Sequence, residues 1–78
     1  MALELPPMGP PRKRSVTIGG HATSVSLEDA FWDGLRHLAE AEGMSPAEAI
    51  AEIDRARPPG VGLATAVRLT VLAAASGP

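Results

Sequence analysis

The stretch Arg14-Ser15-Val16-Thr17-Ile18-Gly19-Gly20-His21-Ala22-Thr23-Ser24-Val25-Ser26-Leu27 decides the fold. It is rich in β-branched residues and alternates polar with apolar positions, which predicts extended chain, because successive side chains of a strand point to opposite faces. Val16 and Ile18 share one face against Ser15 and Thr17, and beyond the glycines Thr23, Val25 and Leu27 share one face against Ala22, Ser24 and Ser26. The second segment therefore has a small, polar side. The Gly19-Gly20 pair tolerates positive backbone φ, which suits either a tight hairpin turn or a bulge in one longer strand.

Downstream, the Ser26 hydroxyl is placed to cap a helix, with Asp29 three residues on, and a helix is predicted over about 27–42 with Phe31, Leu35 and Leu38 as its apolar stripe. Gly43 is placed to end it in a left-handed conformation. Ser45-Pro46-Ala47-Glu48 then combines a cap hydroxyl, a proline at the first helical position and a reciprocating glutamate, which predicts a second helix over about 46–57. Its core face is Ala47, Ile50 and Ile53, while Ala49, Ala51 and Ala56 let a neighbouring helix approach closely. Pro58-Pro59-Gly60 breaks the chain, and a third helix is predicted over about 63–75. Leu63, Val67, Val71 and Ala74 line one stripe of it, Leu69 and Leu72 widen that stripe, and Arg68 is its one charge. So apolar a helix needs cover from its own chain or from a second copy.

Upstream, residues 1–11 hold four prolines and a glycine and read as a flexible tail, leaving one domain over 12–75 of the 78 residues. A core this small, with no cysteine to staple it, predicts association with another subunit. No apolar run approaches the roughly 20 residues of a membrane span and the start lacks a secretory signal's apolar stretch, so a soluble cytoplasmic protein is expected.

The net charge of −2 hides an asymmetry. Residues 1–27 set Arg12, Lys13 and Arg14 against Glu4, whereas residues 28–78 set Arg36, Arg55, Arg57 and Arg68 against Glu28, Asp29, Asp33, Glu40, Glu42, Glu48, Glu52 and Asp54. A polyanion would be met by the N-terminal segment. Taken alone, Arg12-Lys13-Arg14 is a solubilising run; standing directly before a polar-faced strand, it becomes a candidate phosphate contact.

Catalytic chemistry is not expected. Gly19-Gly20 lacks the further glycines and the lysine of a phosphate-cradling loop, so no nucleotide or other cofactor is anticipated. His21 and His37 do not stand at a metal-binding spacing: His37 reads as a helix-surface residue, His21 as a turn residue or a phosphate or groove contact. The carboxylates match helix caps and solvated faces, and a chain with one Phe, one Trp and no Tyr has little to build a pocket from.

The order of strand, Val25-Ser26-Leu27-Glu28, helix with Phe31-Trp32, glycine, and Ser45-Pro46-Ala47-Glu48-Ala49-Ile50 resembles the ribbon-helix-helix family of bacterial and phage DNA-binding proteins over about 14–57. Lys13-Arg14-Ser15-Val16-Thr17-Ile18, Ala51-Glu52-Ile53-Asp54 and Arg57-Pro58-Pro59-Gly60 extend the likeness to a subgroup of regulators with an added third helix, as far as about Leu72. The resemblance implies an α+β, mainly α fold: a short β-ribbon followed by three helices, in an intertwined homodimer whose chains each give a strand to a ribbon in the DNA major groove. Ala22, Ser24 and Ser26 would then face the groove, Thr23, Val25 and Leu27 would enter the dimer core, and backbone N–H groups near Ser45 to Ala47 would clamp a phosphate.

Related sequences commonly place a basic or long polar residue where this chain has Ala22, and alanine reaches only a thymine methyl. Readout then passes to Arg14, Thr17 and His21, or is electrostatic and shape-dependent. The expected function is a dimeric, DNA-binding transcriptional regulator associated with the nucleoid. The alternative is an antitoxin-like adaptor or scaffold subunit on the same fold. Segment 14–18 either folds back on 22–27 or prolongs an intersubunit ribbon.

Overall fold

The computed structural model describes residues 2–77; Met1, the first residue of the expected tail, and Pro78 lie outside them. Strands β1 (Arg12–Ile18) and β2 (His21–Leu27) precede helices α1 (Asp29–Ala41), α2 (Pro46–Ala56) and α3 (Leu63–Ser76). Residues 2–11 carry neither helix nor strand and are exposed.

The first extended segment folds back. β1 pairs antiparallel with β2 in one register, from Ile18 opposite His21 at the turn to Arg12 opposite Leu27 at the far end. Gly19 at φ 58° and Gly20 at φ 81° make the connection, a two-residue turn with both residues left-handed, whose twist matches that of the strands it joins. Of the two pairings open to segment 14–18, the chain adopts the fold-back, and the other edge of β2 carries no strand among the described residues.

Ser26 does not cap α1. It is the penultimate residue of β2, and the cap position is taken by Glu28, which makes no side-chain capping bond. Glu28 instead accepts from Arg68 of α3, at 2.9 Å from Nε and 3.3 Å from the second guanidinium nitrogen, which also reaches the Ser26 carbonyl at 3.3 Å. The one charge of α3 therefore ties that helix to the junction of β2 and α1. At the other end of α1, Gly43 at φ 70° lets the Met44 N–H reach the Ala39 carbonyl at 2.8 Å and its own N–H reach that of Glu40 at 3.0 Å, satisfying two end carbonyls.

Helix α2 has both halves of its capping box: the Glu48 N–H donates to Ser45 Oγ at 3.1 Å, and the Ser45 N–H donates to Glu48 Oε1 at 2.9 Å. The loop to α3 is held by Arg57, which bonds Asp54 at 2.8 Å and the Val61 carbonyl at 2.7 Å.

The hairpin forms one layer and the helices the other, with α2 packed under β1 and α3 under β2. Leu27, Leu35, Ile50 and Val67 are fully buried between them, joined by Val16, Val25, Ala39 and Ala49. Ala49 lies deeper than the expected Ala47 on the core side of α2. Gly34, which the apolar stripe did not single out, is where α1 meets α3: a Cβ there would stand 2.5 Å from Val71 Cγ1. Leu69 and Leu72 are not covered by their own chain, being 58% and 57% exposed.

Candidate nucleic-acid interface

Strand alternation sorts the hairpin's side chains into two sets. Val16, Val25 and Leu27, with the half-buried Arg14, Ile18 and Thr23, face the helices; Lys13, Ser15, Thr17, Ala22, Ser24 and Ser26 face outward and are exposed. The outward residues stand in cross-strand pairs, Lys13 with Ser26, Ser15 with Ser24, and Thr17 with Ala22. In a two-residue hairpin the pair flanking the turn is hydrogen-bonded and pairs alternate from there, so these three are the wider-bonded, closer-packed kind. Their own N–H and C=O groups point to the two outer edges of the ribbon.

The resulting face is low, hydroxyl-rich and carries a single charge. Lys13 projects from it, and no carboxylate does. Ala22, Ser24 and Ser26 stand where the sequence places them, Thr17 joins them from β1, and Ser15 completes the set. Ser15 was absent from the expected contacts, although its alternation with Val16 marks it as Thr17's neighbour on this face.

The basic triplet is split. Arg12 and Arg14 have the parity of the inward face, and both turn to Asp29 at the start of α1: Arg12 at 3.6 Å, Arg14 in direct contact. The Arg14 side chain is 19% exposed, with its guanidinium over the Trp32 ring at 5.2 Å from the centroid and its Nε buried without a partner. Arg14 is thereby a strut between β1 and α1, because an ion pair and a cation–π stack hold it on the side away from the outward face. His21 also has inward parity, but is exposed at the ribbon tip opposite Ile18.

Ser45 sits exposed at the start of α2, where the first-turn amides would have to be free to hold a phosphate. They are mostly taken. The Ser45 N–H is bonded to the Glu48 carboxylate, the Glu48 N–H to Ser45 Oγ and the Ala49 N–H to the Ser45 carbonyl, while Pro46 has none; Ala47 keeps the one N–H without a protein partner. These bonds from Ser45 hold the Glu48 carboxyl below the usual glutamate range, so a negative charge already occupies the turn. The hydrogen bond from Arg68, followed by one from its own backbone, likewise lowers Glu28.

Among the described residues no three histidine, aspartate or glutamate side chains gather to hold a metal ion, and no helix is long and apolar enough to cross a membrane. A profile of the family described as "Ribbon-helix-helix domain" matches residues 11–75. No curated protein and no solved structure matches the chain.

Proposed function

Since the chain belongs to the ribbon-helix-helix family, whose domains are generally DNA-binding regulators or antitoxins and typically not enzymes, we propose that it is a transcriptional regulator that lays the outward face of its hairpin in the major groove of duplex DNA. The observation that carries this reading is that face itself: small side chains, hydroxyls and Lys13, with every carboxylate elsewhere. A two-stranded ribbon fits a groove about 12 Å wide, and side chains as short as serine and alanine let its backbone approach the base edges closely.

Specificity is modest in this reading. Serine hydroxyls accept or donate to several bases and Ala22 meets a thymine methyl, so discrimination comes from groove shape as much as from base edges. Affinity rests on few phosphates, with Lys13 first, Arg12 at the ribbon's open end, and His21 and Thr17 toward the tip. Ser45 and the Ala47 N–H add a weak contact at most. Self-association, which the family generally shows, would place copies on repeated half-sites of nucleoid DNA in the cytoplasm.

A shift assay with random duplex across a salt series tests the proposal. We expect binding that weakens as salt rises, with a shallow log–log slope of about −1 to −3 set by these few cations. No shift at micromolar protein and low salt would reject it. That outcome would favour the antitoxin-like adaptor, which one observation independently supports: Leu69 and Leu72 leave an apolar strip of α3 open for a protein partner.

A further inference from the structure

We infer that Lys13 is an acylation site, at which an activated acyl donor switches off the charge of the outward face. The inference rests on the proposed DNA binding for its consequence, and on placement and side-chain chemistry for the site itself.

The seven Lys and Arg residues of the chain are six arginines and one lysine. The arginines hold the fold together. Among the described residues Arg12 and Arg14 pair with Asp29, Arg36 with Asp33, Arg57 with Asp54 and Arg68 with Glu28. Lys13 enters no ion pair there, because Asp29 and Glu28, the carboxylates at its end of the hairpin, are already taken by Arg12, Arg14 and Arg68. Its amine is exposed and free of protein partners, and it is the side chain whose chemistry admits acetylation, which a guanidinium used for bidentate pairing does not share.

Position gives that chemistry its effect. Lys13 stands on the outward face opposite Ser26, and since no carboxylate shares the face, this one cation sets its whole charge. The amine, once it has given a proton to solvent, attacks the carbonyl carbon of an acyl phosphate or an acyl thioester. A C–N bond forms, the C–O or C–S bond breaks, and phosphate or thiolate leaves. The amide product carries no charge and has one N–H donor where the ammonium had three. Arg14 cannot replace it, being held against Trp32 and Asp29 on the other side of the strand.

A single lysine makes the test clean, because peptide mass spectrometry separates a label on Lys13 from one on the α-amino group. The protein is incubated with acetyl phosphate and, in a separate arm, with acetyl-coenzyme A; a third sample is reductively dimethylated, which adds bulk to the same nitrogen but keeps its charge. We expect both donors to acetylate Lys13, with the relative rates showing which is the better source. Acetylated protein should bind random duplex roughly tenfold more weakly at about 50 mM salt, with a salt slope shallower by about one, since each phosphate contact contributes about 0.9 to that slope. Dimethylated protein should keep its slope. In Lys13→Arg, whatever its own affinity, neither treatment should change binding, which controls for the α-amino group. Circular dichroism melts should be the same before and after acetylation.

Failure of both donors to label Lys13 would overturn the inference. So would acetylated protein that binds with undiminished slope, or dimethylated protein that loses as much as acetylated, because bulk and not charge would then be at work. Absence of duplex binding by the untreated protein is a different result: it rejects the DNA-binding reading, and the switch falls with it.

Discussion

Arg12, Lys13 and Arg14 are neighbours in sequence and opposites in space, and the difference is measurable residue by residue. Lys13→Gln should reduce the salt slope of duplex binding by about one and barely move the melting temperature, since it removes a phosphate contact from an exposed side chain. Arg14→Gln should do the reverse, lowering stability by about 1 kcal/mol through loss of the stack on Trp32 while leaving the slope almost untouched. Equal slope changes for the two would sink the assignment of faces. Glu28 and Glu48 set a pH limit. Both are depressed below the ordinary 4.5 in the folded chain, so the unfolded chain binds more protons in that range. Their contribution is whole above about pH 5 and is lost as pH falls through the folded values, so thermal melts followed by circular dichroism should drop in midpoint below about pH 4.5. The split of the triplet was legible: Arg14 has the parity of Val16 and Ile18, and treating the three charges as one block overrode it. The fate of Ser45 was legible too, because a capping box and a phosphate clamp compete for the same amides.

Among the elements, α2 and the end of α1 were readable because their signals are local. Ser45, Pro46, Glu48 and Gly43 act within a turn of themselves, and each is found in its expected role. The start of α1 was not, since Ser26 has the chemistry of a cap but β2 holds it, and its carbonyl is used by Arg68 from 42 residues away. Such a contact leaves no trace in spacing. Gly34 is the same kind of residue: its reason for being glycine is Val71, on another helix. Gly34→Ala gains about 1 kcal/mol of helix propensity, but the new methyl would meet the stiff, branched Val71 side chain at 2.5 Å. We expect overpacking to win, with a net loss of about 1–2 kcal/mol in denaturant unfolding. Pairing it with Val71→Ala should recover part of that loss, which distinguishes a clash from a general weakening of α1.

For the whole molecule, the central fact is a core closed by one chain, and substitutions inside and outside it should separate sharply. Ile50→Ala should cost about 2–5 kcal/mol, because it empties a fully buried site. Leu69→Ser should stay within about 0.5 kcal/mol at any protein concentration, since that side chain already meets water. A large, concentration-dependent loss at Leu69 would mean that a second copy covers α3. Strand alternation reads the same whichever partner segment 14–18 takes, so its fold-back on β2 was not legible there; the left-handed turn glycines are what decide it. The register of the hairpin also dictates a kinetic signature. Amides of Arg14, Val16, Thr23 and Val25 are enclosed between the strands, while those of Ser15, Thr17, Ala22 and Ser24 open to solvent on the outer edges. In deuterated water the hairpin should therefore label like a comb, every second residue quickly and its neighbours slowly, until opening of the whole fold erases the contrast.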